Sequence, residues 1–155
     1  MTVKHLKEVL RIEELSFPVP WSFQSFYNEL VGNPYGYYIV ALEDDKVVGY
    51  GGMWILFDEC HITTIAVDPK RRREGIGRKI MEHLIEKARE KDVEWVSLEV
   101  RITNIPAQNL YKSLGFEAVG IRKGYYQPNN EDAIIMRLVL KGEKGSVYPG
   151  YRHVL

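Results

Sequence analysis

The chain has 155 residues, 45% of them hydrophobic, and its 21 basic and 21 acidic residues cancel to a formal net charge of zero. The length and apolar fraction predict a globular domain with a core of its own. Because no global field attracts polyanions and no apolar run reaches the ~18 residues that span a bilayer, we expect no nucleic-acid and no membrane partner.

The first part of the chain predicts two helices. Apolar residues recur at helical spacing from Val3 to Leu15, after Thr2, a residue type that caps helices. The segment Phe17 to Trp21 ends this helix, because each of its two prolines disfavours helical backbone in the residue before it. Ser22 favours capping of a second helix that runs to about Val31.

Three strand-like runs follow, at residues 37–42, 47–56 and 60–67. The second contains Gly49, Gly51 and Gly52, which indicate a bulge or close packing. The third contains Cys60, which we interpret as a small buried hydrophobe rather than a nucleophile. Since Cys60 is the only cysteine, no intramolecular disulfide can form, and we expect a cytoplasmic protein. His61 and His83 lack clustered partners, so we predict no metal site.

A glycine-containing basic loop follows the third strand. The strand ends at Asp68-Pro69, because proline cannot donate to a sheet ladder. Gly75 and Gly77 then allow close backbone approach, and the next helix begins with unpaired N–H groups that carry partial positive charge. This pattern predicts a site for phosphate oxygens, with charge added by Arg71, Arg72, Arg73 and Arg78. A tight turn with solvated arginines is the alternative that these residues leave open.

The second half of the chain predicts a crossover and a hairpin. An amphipathic helix from Ile76 to Ala88 leads to a strand over Glu94 to Val100, parallel to the preceding strand if the crossover is right-handed. Asn104 favours capping of a short helix, Ile105 to Ser113. The remaining elements are a strand at 116–121, a loop at 124–130 and a strand at 133–140. We therefore predict an α/β fold with a mixed, mostly antiparallel sheet, a central parallel βαβ crossover and flanking helices.

Several segments together identify a family resemblance. They are Ile65-Ala66-Val67-Asp68-Pro69, Arg72-Arg73-Glu74-Gly75-Ile76-Gly77-Arg78, Leu98-Glu99-Val100-Arg101, Asn104, Leu110-Tyr111-Lys112-Ser113-Leu114-Gly115-Phe116 and Tyr125-Tyr126. In this order they resemble the RimI-type N-terminal protein acetyltransferases of the GCN5-related N-acetyltransferase (GNAT) superfamily. The similarity runs from about Phe17 to Leu140.

The resemblance implies a GNAT domain over residues 1–140 that uses acetyl-CoA and no metal. The implied acceptor is a protein or peptide N-terminus such as that of ribosomal protein S18, and the protein is expected to be a monomer or a weak homodimer. Transfer is expected to be direct, in a ternary complex. A lysine or small-amine acetyltransferase and a non-catalytic acyl-CoA-binding module are the alternatives.

The resemblance also implies roles for individual residues. Acetyl-CoA contacts are expected at Ile65, Ala66, Val67, Arg72, Arg73, Glu74, Gly75, Ile76, Gly77, Arg78 and Asn104. Glu99 is expected to be the general base and Tyr111 the general acid. The acceptor is expected to contact Phe17, Trp21, Tyr125 and Tyr126.

The chemistry of the residue types agrees with these roles. An α-amine has a pKa near ~7.7–8.0, so at neutral pH it must lose a proton before it attacks. A carboxylate at Glu99 can accept that proton, and a phenol at Tyr111 can supply one to the departing thiolate. An exposed N–H at Val67 could stabilise negative charge on the acetyl oxygen.

Each of these side chains also has an ordinary structural interpretation. Glu99 could be a solvated carboxylate that pairs with Arg101, and Tyr111 could pack its ring in the core. Tyr125 and Tyr126 could be aromatics at a hairpin tip. Phe17 and Trp21 could simply anchor their loop.

Three features depart from the family pattern, one of which is Gly124, which stands where a polar residue often precedes the tyrosine pair. The family usually has a strand before the first helix, and this chain starts almost at that helix. We expect residues 141–155 to form a C-terminal tail that is either flexible or packed on the sheet edge. Glu74 lies within the anion loop and would weaken phosphate attraction unless its side chain points outward.

Overall fold

A computed structural model describes residues 1–141, so the predicted tail lies, apart from Lys141, outside the described residues. The helices are α1 (Leu6–Ser16), α2 (Phe23–Gly32), α3 (Ile76–Glu90) and α4 (Ile105–Ser113). The strands are β1 (Gly36–Glu43), β2 (Lys46–Leu56), β3 (Glu59–Val67), β4 (Trp95–Arg101), β5 (Glu117–Tyr126) and β6 (Glu131–Val139). None of the described helices is long and apolar enough to cross a membrane.

The six strands form one sheet in the order β1-β2-β3-β4-β6-β5. Strands β3 and β4 are parallel and are joined through α3, whereas the other neighbouring strands are antiparallel. The predicted fold class, with its single parallel crossover, is confirmed. Within the described residues no strand precedes α1, and β1 forms one edge of the sheet.

Ser22 and Asn104 form caps at the expected helix ends, whereas Thr2 precedes a short 3₁₀ helix at Val3–His5 and α1 begins only at Leu6. The Ser22 hydroxyl accepts a hydrogen bond from Ser25 N at 3.1 Å, and the Asn104 side chain accepts one from Ala107 N at 3.2 Å. Each cap satisfies an N–H that has no partner within its helix. Helix α1 ends where Phe17 adopts extended backbone before Pro18.

Helices cover both faces of the sheet. Helices α1 and α2 pack around Tyr50, which is fully buried, and α3 packs on the opposite face. The glycines of β2 allow close packing on both faces. A Cβ at Gly51 would lie 2.7 Å from a methyl of Ile80, and a Cβ at Gly52 would lie 2.0 Å from the Tyr38 ring.

The final hairpin differs from the prediction. Tyr125 and Tyr126 were expected in a loop, but they lie in β5. The pairing register between β5 and β6 shifts between Arg122 and Tyr126. Within this irregular stretch Gly124 has φ 62° and its N–H donates to the Asp132 side chain at 2.8 Å. The bulge breaks the alternation of side chains, so a period of two residues could not identify this part of the strand.

The two parallel strands separate part-way along their length. They pair only at Glu59–Trp95, Cys60–Val96 and His61–Ser97. Beyond this point β3 continues to pair with β2, and β4 continues to pair with β6. The facing edges at residues 62–67 and 98–101 are therefore not paired with each other. We call this opening the β3–β4 fork.

Candidate active site

Two cavities meet at the β3–β4 fork. The first, of about 680 Å³, lies between the glycine loop and α4, and the second, of about 350 Å³, lies between β4, β5 and the segment after α1. The residues that line both are Phe17, Ile65, Asn104 and Tyr111. A molecule in one cavity can therefore touch a molecule in the other at this junction.

The glycine loop leaves backbone donors free at the start of α3. Arg73 and Gly75 adopt left-handed backbone, with φ 65° and 81°. The first helical hydrogen bond runs from Lys79 N to Gly75 O at 3.1 Å. The N–H groups of the three preceding helical residues therefore have no partner within the helix. These groups border the larger cavity, which gives it the properties of an anion site.

One arginine of the glycine loop, Arg71, pairs with carboxylates and does not add a free positive charge to the anion site. Arg71 was expected to add charge to the anion site, but it contacts Glu43 at 3.0 Å and Glu74 at 3.0 Å. Hydrogen bonding from Arg71 holds the pKa of Glu74 below its usual value. Arg71 thus lies between two carboxylates, and its ion pair with Glu74 offsets part of the negative charge that Glu74 brings to the loop.

The other loop arginines keep their side chains near the larger cavity. Arg72 donates to the carbonyl oxygen of Val67 at 3.4 Å, and Arg78 donates to the hydroxyl of Ser113. Both contacts are with uncharged groups, so both guanidinium charges stay available to an anion. Arg73 also lines the cavity.

The backbone of β3 presents donors to the fork. Asp68 N donates to Val48 O of β2 at 2.8 Å. Because successive N–H groups point to opposite edges of a strand, the N–H of Val67 points away from β2 and into the fork. Val67 also lines the larger cavity.

Glu99 lies in the smaller cavity at the fork. Its side chain is only 9% exposed, and its oxygens lie 3.0 Å from His61 Nε2 and 3.5 Å from Arg122 Nε. The alternative pairing with Arg101 does not occur, because Arg101 binds Glu131 at 3.0 Å. A largely buried carboxylate that faces a cavity is suited to accept a proton from a bound molecule.

Tyr111 reaches the junction from α4. Its side chain is 7% exposed, and its ring packs against Phe116 with centroids 6.0 Å apart. Burial raises the pKa of Tyr111 to about 12. The phenol therefore stays protonated at neutral pH and can act as a proton donor toward either cavity.

Aromatic side chains form the walls of the smaller cavity. The four predicted acceptor-binding residues all line it, namely Phe17, Trp21, Tyr125 and Tyr126. The rings of Tyr125 and Tyr126 contact edge to face at 5.0 Å. The Arg101 guanidinium lies 4.2 Å from the centroid of the Tyr126 ring, which helps to fix that ring.

Sequence reasoning missed Glu13, which also lines the smaller cavity. This side chain is 2% exposed and accepts hydrogen bonds from Trp21 N at 2.9 Å and Tyr50 Oη at 2.5 Å. Burial raises the pKa of Glu13 above its usual value. The bond to Trp21 N ties the segment after α1 to the helix. The signal was present, because Glu13 follows Leu6 and Val9 on the apolar face of α1.

The predicted structural role of Cys60 agrees with its burial. The thiol is fully buried, and desolvation raises the pKa of Cys60 to about 11. Among residues 1–141, no group of three or more His, Cys, Asp or Glu side chains could hold a metal ion.

Comparisons with known proteins agree on one family. A model of the acetyltransferase (GNAT) family matches residues 6–116. A Bacillus subtilis protein, named as a candidate ribosomal protein bS18-alanine N-acetyltransferase, is 45% identical over 136 residues, which are 88% of this chain and 90% of that protein. The crystal structure of the Escherichia coli ribosomal-protein-S18-alanine N-acetyltransferase has a TM-score of 0.84 at 32% identity, over 96% of each chain. Chaetomium thermophilum Naa20 in complex with a bisubstrate analogue has a TM-score of 0.77 at 26% identity, over 90% of this chain and 84% of that one.

Proposed function

Because the chain belongs to the acetyltransferase (GNAT) family, it uses acetyl-CoA as acetyl donor, and we propose that it acetylates the N-terminal α-amine of a protein. The proposed acceptor has an N-terminus like that of ribosomal protein S18, the substrate named for two of its relatives. Such an acceptor places the proposed activity in the cytoplasm. The observation that carries the proposal is the junction of the two cavities, with Glu99 on one side and the glycine loop on the other.

The larger cavity is proposed to hold acetyl-CoA. The N–H groups and arginines from Arg72 to Arg78 would bind its pyrophosphate, since unpaired helical N–H groups favour negative charge. The open edge of β3 at Ile65, Ala66 and Val67 would pair with the amide groups of the pantetheine arm. Asn104, which lines both cavities, would contact the same arm beside the thioester.

The smaller cavity is proposed to hold the acceptor. Phe17 and Trp21 would surround the first side chain, and Tyr125 and Tyr126 would contact the peptide from the other side. Aromatic rings suit this role because they supply large, rigid contact surfaces. The ring of Tyr126, held by Arg101, gives that side of the cavity a fixed shape.

Acetyl-CoA supplies the acetyl group as a thioester, and the residues of the chain manage the protons. Glu99 accepts a proton from the ammonium group, which frees the nitrogen lone pair to form the C–N bond. The N–H of Val67 would donate to the acetyl carbonyl oxygen and stabilise the charge that develops there. Tyr111 donates its proton to the sulfur as the C–S bond breaks, and it recovers a proton from the acylated nitrogen. The nitrogen thus loses two protons, one to Glu99 and one to Tyr111.

The test is acetyl transfer to synthetic peptides that vary at their first two positions. Each peptide is paired with a control of the same sequence whose α-amine is blocked and whose lysines are retained. We expect mass spectrometry to locate the label on the α-nitrogen and the blocked controls to stay unlabelled.

Two results would overturn the proposal. Label confined to lysine side chains would make the protein a lysine acetyltransferase, whose acceptor, with a pKa near ~10.4, is harder to deprotonate. Binding of acetyl-CoA without transfer to any peptide would instead indicate a non-catalytic module.

A further inference from the structure

We propose that His61 is a positioning residue that orients the carboxylate of Glu99, a role that rests on the proposed function of Glu99 as base. His61 is the last residue of β3 that pairs with β4, and it lies opposite Ser97. Beyond this pair the strands separate, and Glu99 is the next residue of β4 on the same face as Ser97. The imidazole therefore lies at the start of the β3–β4 fork, where it can contact both side chains.

Both nitrogens of the imidazole have partners. Nδ1 lies 3.0 Å from the Ser97 hydroxyl, and Nε2 lies 3.0 Å from Glu99 Oε2. An ionised carboxylate only accepts hydrogen bonds, so Nε2 must carry a hydrogen and donate it to Glu99. In the neutral ring, Nδ1 then accepts the hydrogen of the Ser97 hydroxyl. Two bonds at opposite sides of the ring fix its plane.

The bond from His61 leaves one carboxylate oxygen of Glu99 for the substrate. Oε2 is occupied by the imidazole, whereas within residues 1–141 Oε1 has only the longer contact of 3.5 Å to Arg122, whose side chain is 57% exposed. An incoming ammonium group can displace such an exposed partner more readily than the anchored imidazole. His61 therefore determines which oxygen faces the amine and in what direction.

The location of His61 indicates that its imidazole orients Glu99 and does not serve to pack the core. Its side chain is 29% exposed and lines the smaller cavity, and His61 does not belong to the cluster of buried hydrophobic residues that packs against α3. Removal of the imidazole would thus leave the core packed and the carboxylate of Glu99 free to rotate. Loss of orientation affects the turnover number, because small displacements of a reacting group are costly in rate.

The test compares three substitutions in the full-length protein, each assayed for peptide acetylation and acetyl-CoA KM. His61→Leu should lower kcat about tenfold with little change in the acetyl-CoA KM. His61→Gln should recover activity to within about threefold of the wild type, because its amide nitrogen reaches the position of Nε2. His61→Asn should not, because its shorter side chain ends near the position of Nδ1.

A matched control is His83→Leu. His83 is exposed on α3 and also contacts a hydroxyl, that of Tyr37 at 3.4 Å, but it lies outside both cavities. This variant should keep the kcat of the wild type.

Three outcomes would overturn the role of His61. If the wild type acetylates N-termini and His61→Leu does so equally well, His61 does not position the base and the proposed function stands. Equal activity of His61→Asn and His61→Gln would also show that His61 does not position the base. This comparison tests the role of His61 even if His61→Leu does not fold. A wild type that transfers no acetyl group to any N-terminus refutes the proposed function and this role with it.

Discussion

Replacement of Tyr111 by Phe tests the proposed general acid with the smallest change in shape. The substitution removes one oxygen and keeps the ring that packs against Phe116 at 6.0 Å. Within residues 1–141 no hydrogen bond to the Tyr111 hydroxyl is present in the structure, and this oxygen is not an unsatisfied buried atom. The free energy of unfolding should therefore change by no more than about 0.5 kcal/mol.

The size of the catalytic effect follows from the buried phenol. Burial raises the pKa of Tyr111 to about 12, whereas an alkyl thiol has a pKa near ~8.5. Because the phenol is the weaker acid, its proton moves to the sulfur only as Tyr111 recovers a proton from the acylated nitrogen, and Tyr111 lowers the barrier by the hydrogen bond that it donates to the developing charge. A hydrogen bond to a charged group contributes about 1.5–3 kcal/mol. Its loss predicts a fall in kcat of roughly 10- to 150-fold.

The assay is steady-state acetylation of a peptide N-terminus by the wild type and Tyr111→Phe. The acetyl-CoA dissociation constant, measured by calorimetry, should stay within about threefold, which corresponds to less than about 1 kcal/mol. The wild-type kcat should show no decline from ionisation of Tyr111 below about pH 10, because its pKa is about 12. A Tyr111→Phe variant that keeps the wild-type kcat would refute the assignment of Tyr111 as the acid.

Three further predictions concern other parts of the molecule. Glu99→Gln should lower kcat at neutral pH by about 10²–10⁴-fold, with acetyl-CoA affinity by calorimetry nearly unchanged. Gly75→Ala should lower the free energy of unfolding in urea by about 1–2 kcal/mol, because Gly75 has φ 81°. The control Gly77→Ala should raise it by about 0.5–1 kcal/mol, since Gly77 is helical and a Cβ there makes contacts of 3.6 Å or longer. The melting temperature of the wild type minus that of Glu13→Gln should be larger near pH 4 than near pH 7.

The direction of the Glu13 effect follows from its raised pKa. Burial makes the folded state bind this proton more tightly than the unfolded state does. The contribution of Glu13 to stability is therefore present below the ordinary pKa of a glutamate and is lost as pH rises from that value through the raised pKa of the folded state. A difference in melting temperature that is constant with pH would contradict the raised pKa.

Equal turnover of the wild type and Glu99→Gln would remove Glu99 as the base. Equal losses at Gly75 and Gly77 would contradict the assigned backbone conformations.

The sequence predicted those parts of the fold that depend on local chemistry. Ser22 and Asn104 carry side-chain oxygens that cap helices, and both helices begin where these residues predict. The glycine loop could also be anticipated, because Gly75 permits left-handed backbone and Pro69 ends a strand. These signals act within a few residues and do not depend on the rest of the chain.

The parts of the site that depend on distant partners could not be predicted in the same way. His61 was considered only as a metal ligand, and its contacts with Ser97 and Glu99 join residues more than 30 positions apart in the sequence. They depend on the register of β3 against β4, which a short parallel pairing sets. The pairing of Arg71 with Glu43 spans 28 positions and also could not be read from neighbouring residues.

The separation of β3 from β4 leaves part of the sheet without hydrogen bonds between these two strands. A sheet is stabilised by ladders of hydrogen bonds, and here part of one ladder is missing from the chain itself. Pantetheine amides bound along Ile65 to Val67 would form hydrogen bonds with this edge of β3. The bound donor would therefore stabilise the sheet as well as react. Affinity for the donor and rigidity of the catalytic centre would then rise together, and an acceptor that enters second would meet a stiffer centre than one that enters first.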